Sequence, residues 1–211
     1  MRLTLISSQP VTALFGKEFP FTGIDCTIRE ALSPGDLSTS DCIIDLTVEE
    51  QPQLIDQYRT TTIPVLIGSV VLALKELEVD ANLPIARFNH WPTFINRNCI
   101  EFAVAEDQIV TFQNLFQTLN IPFFRTADHP GFVSAKTVSM IINEAFLSIE
   151  EAVATEEAID TAMKLGTSYP MGPFEWCNKI GVDRITGLLR KLAKSEDRYQ
   201  PASSFFKTNE N

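Results

Sequence analysis

Glycine is scarce in this chain at the place where a nucleotide-binding fold uses it most. Nine glycines occur among 211 residues, and none precedes Gly16. The first apolar run, Leu3-Thr4-Leu5-Ile6, therefore opens onto Ser7-Ser8-Gln9-Pro10-Val11-Thr12 and not onto a G-x-G-x-x-G turn. Such glycines let the backbone approach a pyrophosphate at a helix N-terminus. Here side chains crowd that approach, and Pro10 has no amide hydrogen to offer. Positive charge is thin as well: 17 Lys and Arg stand against 27 Asp and Glu, a net −10 with no basic stripe. That excludes nucleic acid as a partner, because its binding rests on cations that neutralise phosphates. Cys26, Cys42, Cys99 and Cys177 form no C-x-x-C pair, so buried free thiols are expected and no metal site. The longest apolar run, residues 63–74, is broken by Pro64 and Gly68 and is too short to span a bilayer. With no basic segment leading into an apolar one at the start, a soluble, cytoplasmic protein is expected, with no membrane partner. Histidine occurs only at positions 90 and 129, which narrows the choice of an acid–base group.

What is present is ample for a core. Hydrophobic residues make up 45% of the chain, enough for one large domain or two small ones. Residues 2–7, 23–28, 41–47 and 64–69 read as strands, with Ser33-Pro34-Gly35-Asp36 as a turn and residues 49–59 as a crossover helix. The first crossover has only the stretch between Ser7 and Gly23 in which to fit. Residues 85–88 and 98–104 read as two more strands, residues 106–119 as an amphipathic helix and 121–125 as a last strand. This alternation predicts an α/β domain over residues 1–127, a truncated Rossmann-like parallel sheet. Asp25 and Asp45 invite a ribose-binding role, which the missing glycine loop argues against.

From Val138 the pattern changes to offsets of three, four and seven through Ile141, Ile142, Ala145, Ile149 and Val153, a helix with one buried face. Thr155 suits the N-cap of a second helix that ends at a left-handed Gly166, with Glu156 and Glu157 in its first turn. Pro170 and Pro173 bracket a sharp turn, with Pro173 as the first residue of a third helix. Asp183 is placed to cap a fourth, carrying Ile185, Leu188, Leu189 and Leu192. Residues 128–206 thus read as a helical domain, and 207–211 as a disordered tail.

Four blocks in this helical part resemble one family. They are Asp128-x-Pro-Gly-Phe132, Ile142-Asn143-Glu144-Ala145, Ile159-Asp160-x-Ala-Met-Lys-Leu-Gly166 and Tyr169-Pro-Met-Gly-Pro-Phe-Glu175. Together they are similar to the C-terminal domain of the L-3-hydroxyacyl-CoA dehydrogenases, with a fainter match at Arg198-Tyr199-x-Pro201. The resemblance implies oxidation of a 3-hydroxyacyl-CoA with NAD in fatty acyl-CoA metabolism, an acyl-CoA ligand, and a homodimer through residues 131–195. It also implies a catalytic histidine held by a carboxylate. Glu101 matches the carboxylate. The family's histidine position falls on Phe88 or Asn89, beside His90, so the pair expected is His90 with Glu101. By the same resemblance Ser69, or Val70, takes the place of a serine near the nicotinamide. Ala135 replaces a substrate-contacting asparagine, and Lys136 stands for an arginine. A CoA ester needs a local positive spot, from residues such as Arg87, Arg97 or Lys136. His129 reads as a solvent-facing turn residue. Two readings follow: a divergent dehydrogenase with NAD at an altered Ser7–Thr12 loop, or a non-catalytic, dimeric acyl-CoA-binding relative that has lost the NAD site.

Overall fold

The computed structural model describes residues 1–10, 23–97 and 99–206. Contacts divide the chain into two compact units, one ending at Phe132 and the other beginning at Val133. The first unit is a seven-stranded sheet: β1 Arg2–Ile6, β2 Asp25–Arg29, β3 Cys42–Asp45, β4 Val65–Gly68, β5 Ile85–Phe88, β6 Ile100–Val104 and β7 Phe123–Arg125. Their order across the sheet is β2-β1-β3-β4-β5-β6-β7, and every pairing is parallel except β5 with β6. The Rossmann-like α/β expectation holds.

Every residue of β3, β4 and β5 is buried, as expected of central parallel strands covered on both faces. Successive side chains then serve opposite cores. Leu5, Ile44 and Leu66 join Phe102, Phe112 and Phe116 on one face. Ile6, Ile43 and Ile67 join Ile55 and Tyr58 on the other. The helix Ile109–Thr118 seals the first face through Phe112 and Phe116.

Where residues 49–59 read as an α-helical crossover, the structure has a 3-10 helix, Pro52–Tyr58. Its end is fixed by Tyr58, whose hydroxyl donates to Asp45 Oδ2 at 2.7 Å. Burial, and then the Asp45 charge, push that phenol well above its ordinary pKa, so it stays a donor. The first crossover expected after Ser7 falls largely on residues 11–22, outside the described residues, as does the tail at 207–211.

The second unit contains four α-helices among its described residues: Ser134–Glu150, Glu156–Thr167, Pro173–Ile180 and Val182–Ala193. The all-helical expectation holds here too. Thr155 caps its helix by accepting from Ala158 N–H at 3.3 Å. The left-handed C-cap is Ser168 (φ 58°) and not Gly166, because the helix runs on to Thr167. Asp183 lies inside the first turn of the last helix, whose N-cap is Gly181.

The helix Pro173–Ile180 starts on a buried carboxylate from its neighbour. Asp160 Oδ1 accepts Phe174 N–H at 2.9 Å and Oδ2 accepts Glu175 N–H at 3.2 Å. A Cβ on Gly172 would come within 2.2 Å of Asp160 Cγ, so only glycine fits there. Asn143 then clamps the segment that follows the last helix, donating to Gln200 O at 3.0 Å and accepting Ala202 N–H at 2.9 Å. Phe146 stacks on Phe205 at 3.9 Å and lies 5.0 Å from Phe174.

Candidate functional site

In an open parallel sheet, ligands are taken at the carboxyl ends of the strands, where the strand order reverses. Here that point lies between β1, flanked by β2 on one side, and β3 on the other. After β1, Ser7 closes on its own turn: its hydroxyl donates to Gln9 O at 2.9 Å and accepts Gln9 N–H at 3.1 Å. That uses the Gln9 amide, and Pro10 has none. After β3, Asp45 is 1% exposed, accepting Thr47 N–H at 2.8 Å, the Thr47 hydroxyl at 2.6 Å and the Tyr58 hydroxyl. Asp25 begins β2, at the opposite end of the sheet from the carboxyl ends. The ribose-binding role for Asp25 or Asp45 is therefore not supported. The described residues around this turn do not fit a dinucleotide pyrophosphate.

The polar cluster of this unit lies further along, at the ends of β4 and β5. Glu49 is its hub. One of its oxygens accepts Val70 N–H at 2.6 Å and Val71 N–H at 2.5 Å, and the other accepts the Trp91 indole N–H at 2.8 Å. His90 Nε2 lies 3.7 Å from the same carboxylate. The imidazole lies against β4, so a Cβ on Gly68 would fall 2.7 Å from its Cγ.

The register decides which residue faces Glu101. Phe88 pairs with Phe102, and the ladder continues as Asn89 N–H donates to Glu101 O at 3.0 Å. Side chains opposite one another in an antiparallel pair share a face, and the next residue turns to the other. Asn89 Nδ2 accordingly meets Glu101 Oε2 at 3.4 Å. The expected pair is corrected on this geometry: the residue across from Glu101 is Asn89, and the carboxylate beside His90 is Glu49.

Ser69 is fully buried, its hydroxyl donating to Leu72 O at 2.8 Å and its carbonyl accepting Arg87 Nη1 at 3.1 Å. Arg87 is itself fully buried in β5. Its Nε donates to Asp128, its Nη2 to His129 O at 2.6 Å, and its guanidinium lies 4.1 Å from the centre of the Phe132 ring. Burial lowers its pKa while Asp128 acts in the opposite direction. Arg87 is therefore a strut and cannot be the positive spot for a CoA phosphate. Arg97 lies 4.6 Å from the Phe94 ring centre. The His129 side chain is exposed, as expected of a turn.

Lys136 lies in the helical unit, on the first turns of Ser134–Glu150, its Nζ 4.9 Å from the Tyr199 ring centre. Ala135 is fully buried beside it in the sequence. Sequence reasoning missed Glu49 and the Arg87–Asp128 pair. The signal for the second was there: an arginine in the otherwise apolar strand Ile85-Ala86-Arg87-Phe88 requires a buried anion.

Comparison with known proteins gives these halves unequal support. Residues 131–210 match the family model described as 3-hydroxyacyl-CoA dehydrogenase, C-terminal domain. The 3-hydroxyadipyl-CoA dehydrogenase of Escherichia coli is 48% identical over 79 residues, covering 36% of this chain and 17% of that protein. A probable 3-hydroxybutyryl-CoA dehydrogenase of Bacillus subtilis is 34% identical over 101 residues, 47% of this chain and 35% of the relative. The chain thus matches between about a sixth and about a third of these relatives' length.

Among solved structures, M. tuberculosis FadB2 superposes with a TM-score of 0.79 at 16% identity, covering 98% of this chain and 92% of that one. The (S)-3-hydroxybutyryl-CoA dehydrogenase of Ralstonia eutropha gives 0.71 at 21%, over 85% and 69%. At such identities these two speak for the fold alone. Residues 131–210 are thus similar to the C-terminal domain of the 3-hydroxyacyl-CoA dehydrogenases, and the chain shares the fold of these two solved structures.

Proposed function

We propose that this protein binds the CoA thioester of a 3-hydroxy or 3-oxo acid without oxidising or reducing it by the family's imidazole–carboxylate route. The observation that carries this reading is Asn89 standing across from Glu101. An amide has no lone pair basic enough to take the alcohol proton near neutral pH, and losing a general base costs about a hundredfold to ten-thousandfold in rate. Ala135 in the family's asparagine position and the turn at Ser7–Pro10 support the same reading. The test is purified protein with NADH and acetoacetyl-CoA. NADH fluorescence should show no saturable change, absorbance should stay constant on adding the thioester, and octanoyl-CoA should still bind in calorimetry.

A second reading rests on His90 lying 3.7 Å from Glu49. In it the protein is a dehydrogenase whose base has moved one residue and taken a new carboxylate. NADH consumption that His90→Ala abolishes and Asn89→Ala leaves intact would establish this reading and sink the first.

A homodimer through residues 131–195 belongs to the proposal as well. The buried side chains Val138, Ile142, Ala145 and Phe146 serve the unit's own core, so the surface left for a partner includes Val133, Val153 and Leu165, which are 55%, 66% and 81% exposed. Light scattering at micromolar concentration tests it, and a monomeric mass there rejects it.

A further inference from the structure

The seven-stranded sheet ends on two unlike edges. β7 is three residues long, an ordinary way of blunting an edge, whereas β2 runs for five and bonds β1 alone among the described strands. The doubly wound order places a further strand outside the second one, and this sheet stops at β2. Ser7 N–H donates to Arg29 O at 2.9 Å, and backbone groups alternate in direction along a strand. Asp25, Thr27 and Arg29 therefore bond inward to β1, while Cys26 and Ile28 turn their N–H and C=O groups outward. Among the described residues no backbone partner meets those outward groups. Neither proline nor lysine guards residues 25–29, no bulge breaks their register with β1, and Ile28 is 54% exposed.

This edge is complementary to its own reverse. Two antiparallel copies centred on Thr27 set Asp25 of one opposite Arg29 of the other, Cys26 opposite Ile28, and Thr27 opposite itself. Cys26 and Ile28 then exchange both backbone bonds, and Thr27 falls at the close, non-hydrogen-bonded pair of the ladder. Parallel pairing in register would put like charges side by side. Among the described residues Asp36 takes only Nε of Arg29, at 2.9 Å, which leaves the outer guanidinium nitrogens for the Asp25 of a second copy. We propose that β2 is an assembly edge: a second copy of this chain supplies the outer strand, joining the two sheets into one about a two-fold axis through Thr27. This surface involves none of residues 131–195, so it stands apart from the dimer contact proposed for the helical unit.

The test is sedimentation of the full chain over a concentration series, together with oxidative cross-linking. Ile28→Pro removes an outward N–H that β1 does not use. It should spare the fold, read by circular dichroism, and weaken self-association about tenfold or more. Asp25→Arg sets arginine against arginine and should weaken association too, and adding Arg29→Asp should restore it. In a Cys99→Ser background, Thr27→Cys should oxidise to a dimer whose peptide map shows a disulfide joining the two substituted positions, because they face each other at the close pair. Glu30→Cys, far from its own copy in this register, should not join to itself. Self-association that Ile28→Pro leaves unchanged, or Thr27→Cys cross-linking no better than Glu30→Cys, overturns the proposal. A monomer at every concentration overturns both this edge and the helical dimer. A dimer that Leu165→Glu splits and Ile28→Pro leaves whole overturns this edge and keeps the helical contact.

Discussion

The two units of this chain satisfy their buried polar groups by different means. In the helical unit the work falls to side chains that cap backbone. Asp160 receives the first amides of Pro173–Ile180, Asn143 receives the segment after the last helix, and Thr155 its own helix N-terminus. Each of these meets N–H or C=O groups that any sequence would present there, so a short motif carries the whole arrangement.

The α/β unit buries charges whose partners come from far along the chain. Asp128 reaches Arg87 across 41 residues, and Glu49 reaches Val70 and Trp91 across 21 and 42. A cap tolerates drift in the surrounding sequence, whereas a buried ion survives only while its remote partner does. The helical unit accordingly keeps recognisable blocks, and the α/β unit keeps its fold with few of them.

The sharpest break of this contrast is Asp128→Ala. It leaves a fully buried Arg87 without its carboxylate and should cost about 3–5 kcal/mol, read as the shift of the urea midpoint at pH 7. A loss below about 1 kcal/mol would put this pair among ordinary surface bridges. Next in size is Gly172→Ala in the helical unit. The added carbon lands on Asp160 and must displace that cap, at a cost of about 2 kcal/mol in the same assay. Thr155→Ala removes a single capping acceptor on an exposed turn and should cost about 1 kcal/mol, which Thr155→Ser should largely recover.

The smallest effect is a pH dependence. Lys164, hydrogen-bonded at 2.5 Å, and then Gly172 N–H hold the Glu175 carboxyl below its ordinary value. A depressed folded pKa contributes stability above the unfolded value and loses it as pH falls through the folded one. The stability gap between wild type and Lys164→Met should therefore be present at pH 7, shrink below about pH 4, and be reduced by salt, since both side chains are more than a third exposed.

The legible parts were those whose signal is local. Strand β4 announced itself as an apolar run, β3 and β5 as apolar runs broken only by Asp45 and Arg87, and the helix Pro173–Ile180 by its leading proline. Residues 49–59 misled because their composition suits a helix while Tyr58 is tied to Asp45, a contact between different elements. His90 misled for a subtler reason. Counting along the chain leaves the register of a loop open by one or two positions, and in a strand pair one position exchanges the faces.

By itself the sequence determined the order of elements, the helical half with its family motifs, and the missing glycine cradle, because periodicity, capping and turn chemistry act within a few residues. Only the tertiary structure decided that Asn89 and not His90 stands across from Glu101, that Glu49 gathers the end of β4, that Arg87 is a strut, and that Lys136 lies over Tyr199. Those are pairings between residues 12 to 63 positions apart. Strand register, buried charge and side-chain direction set them, and no local pattern encodes them.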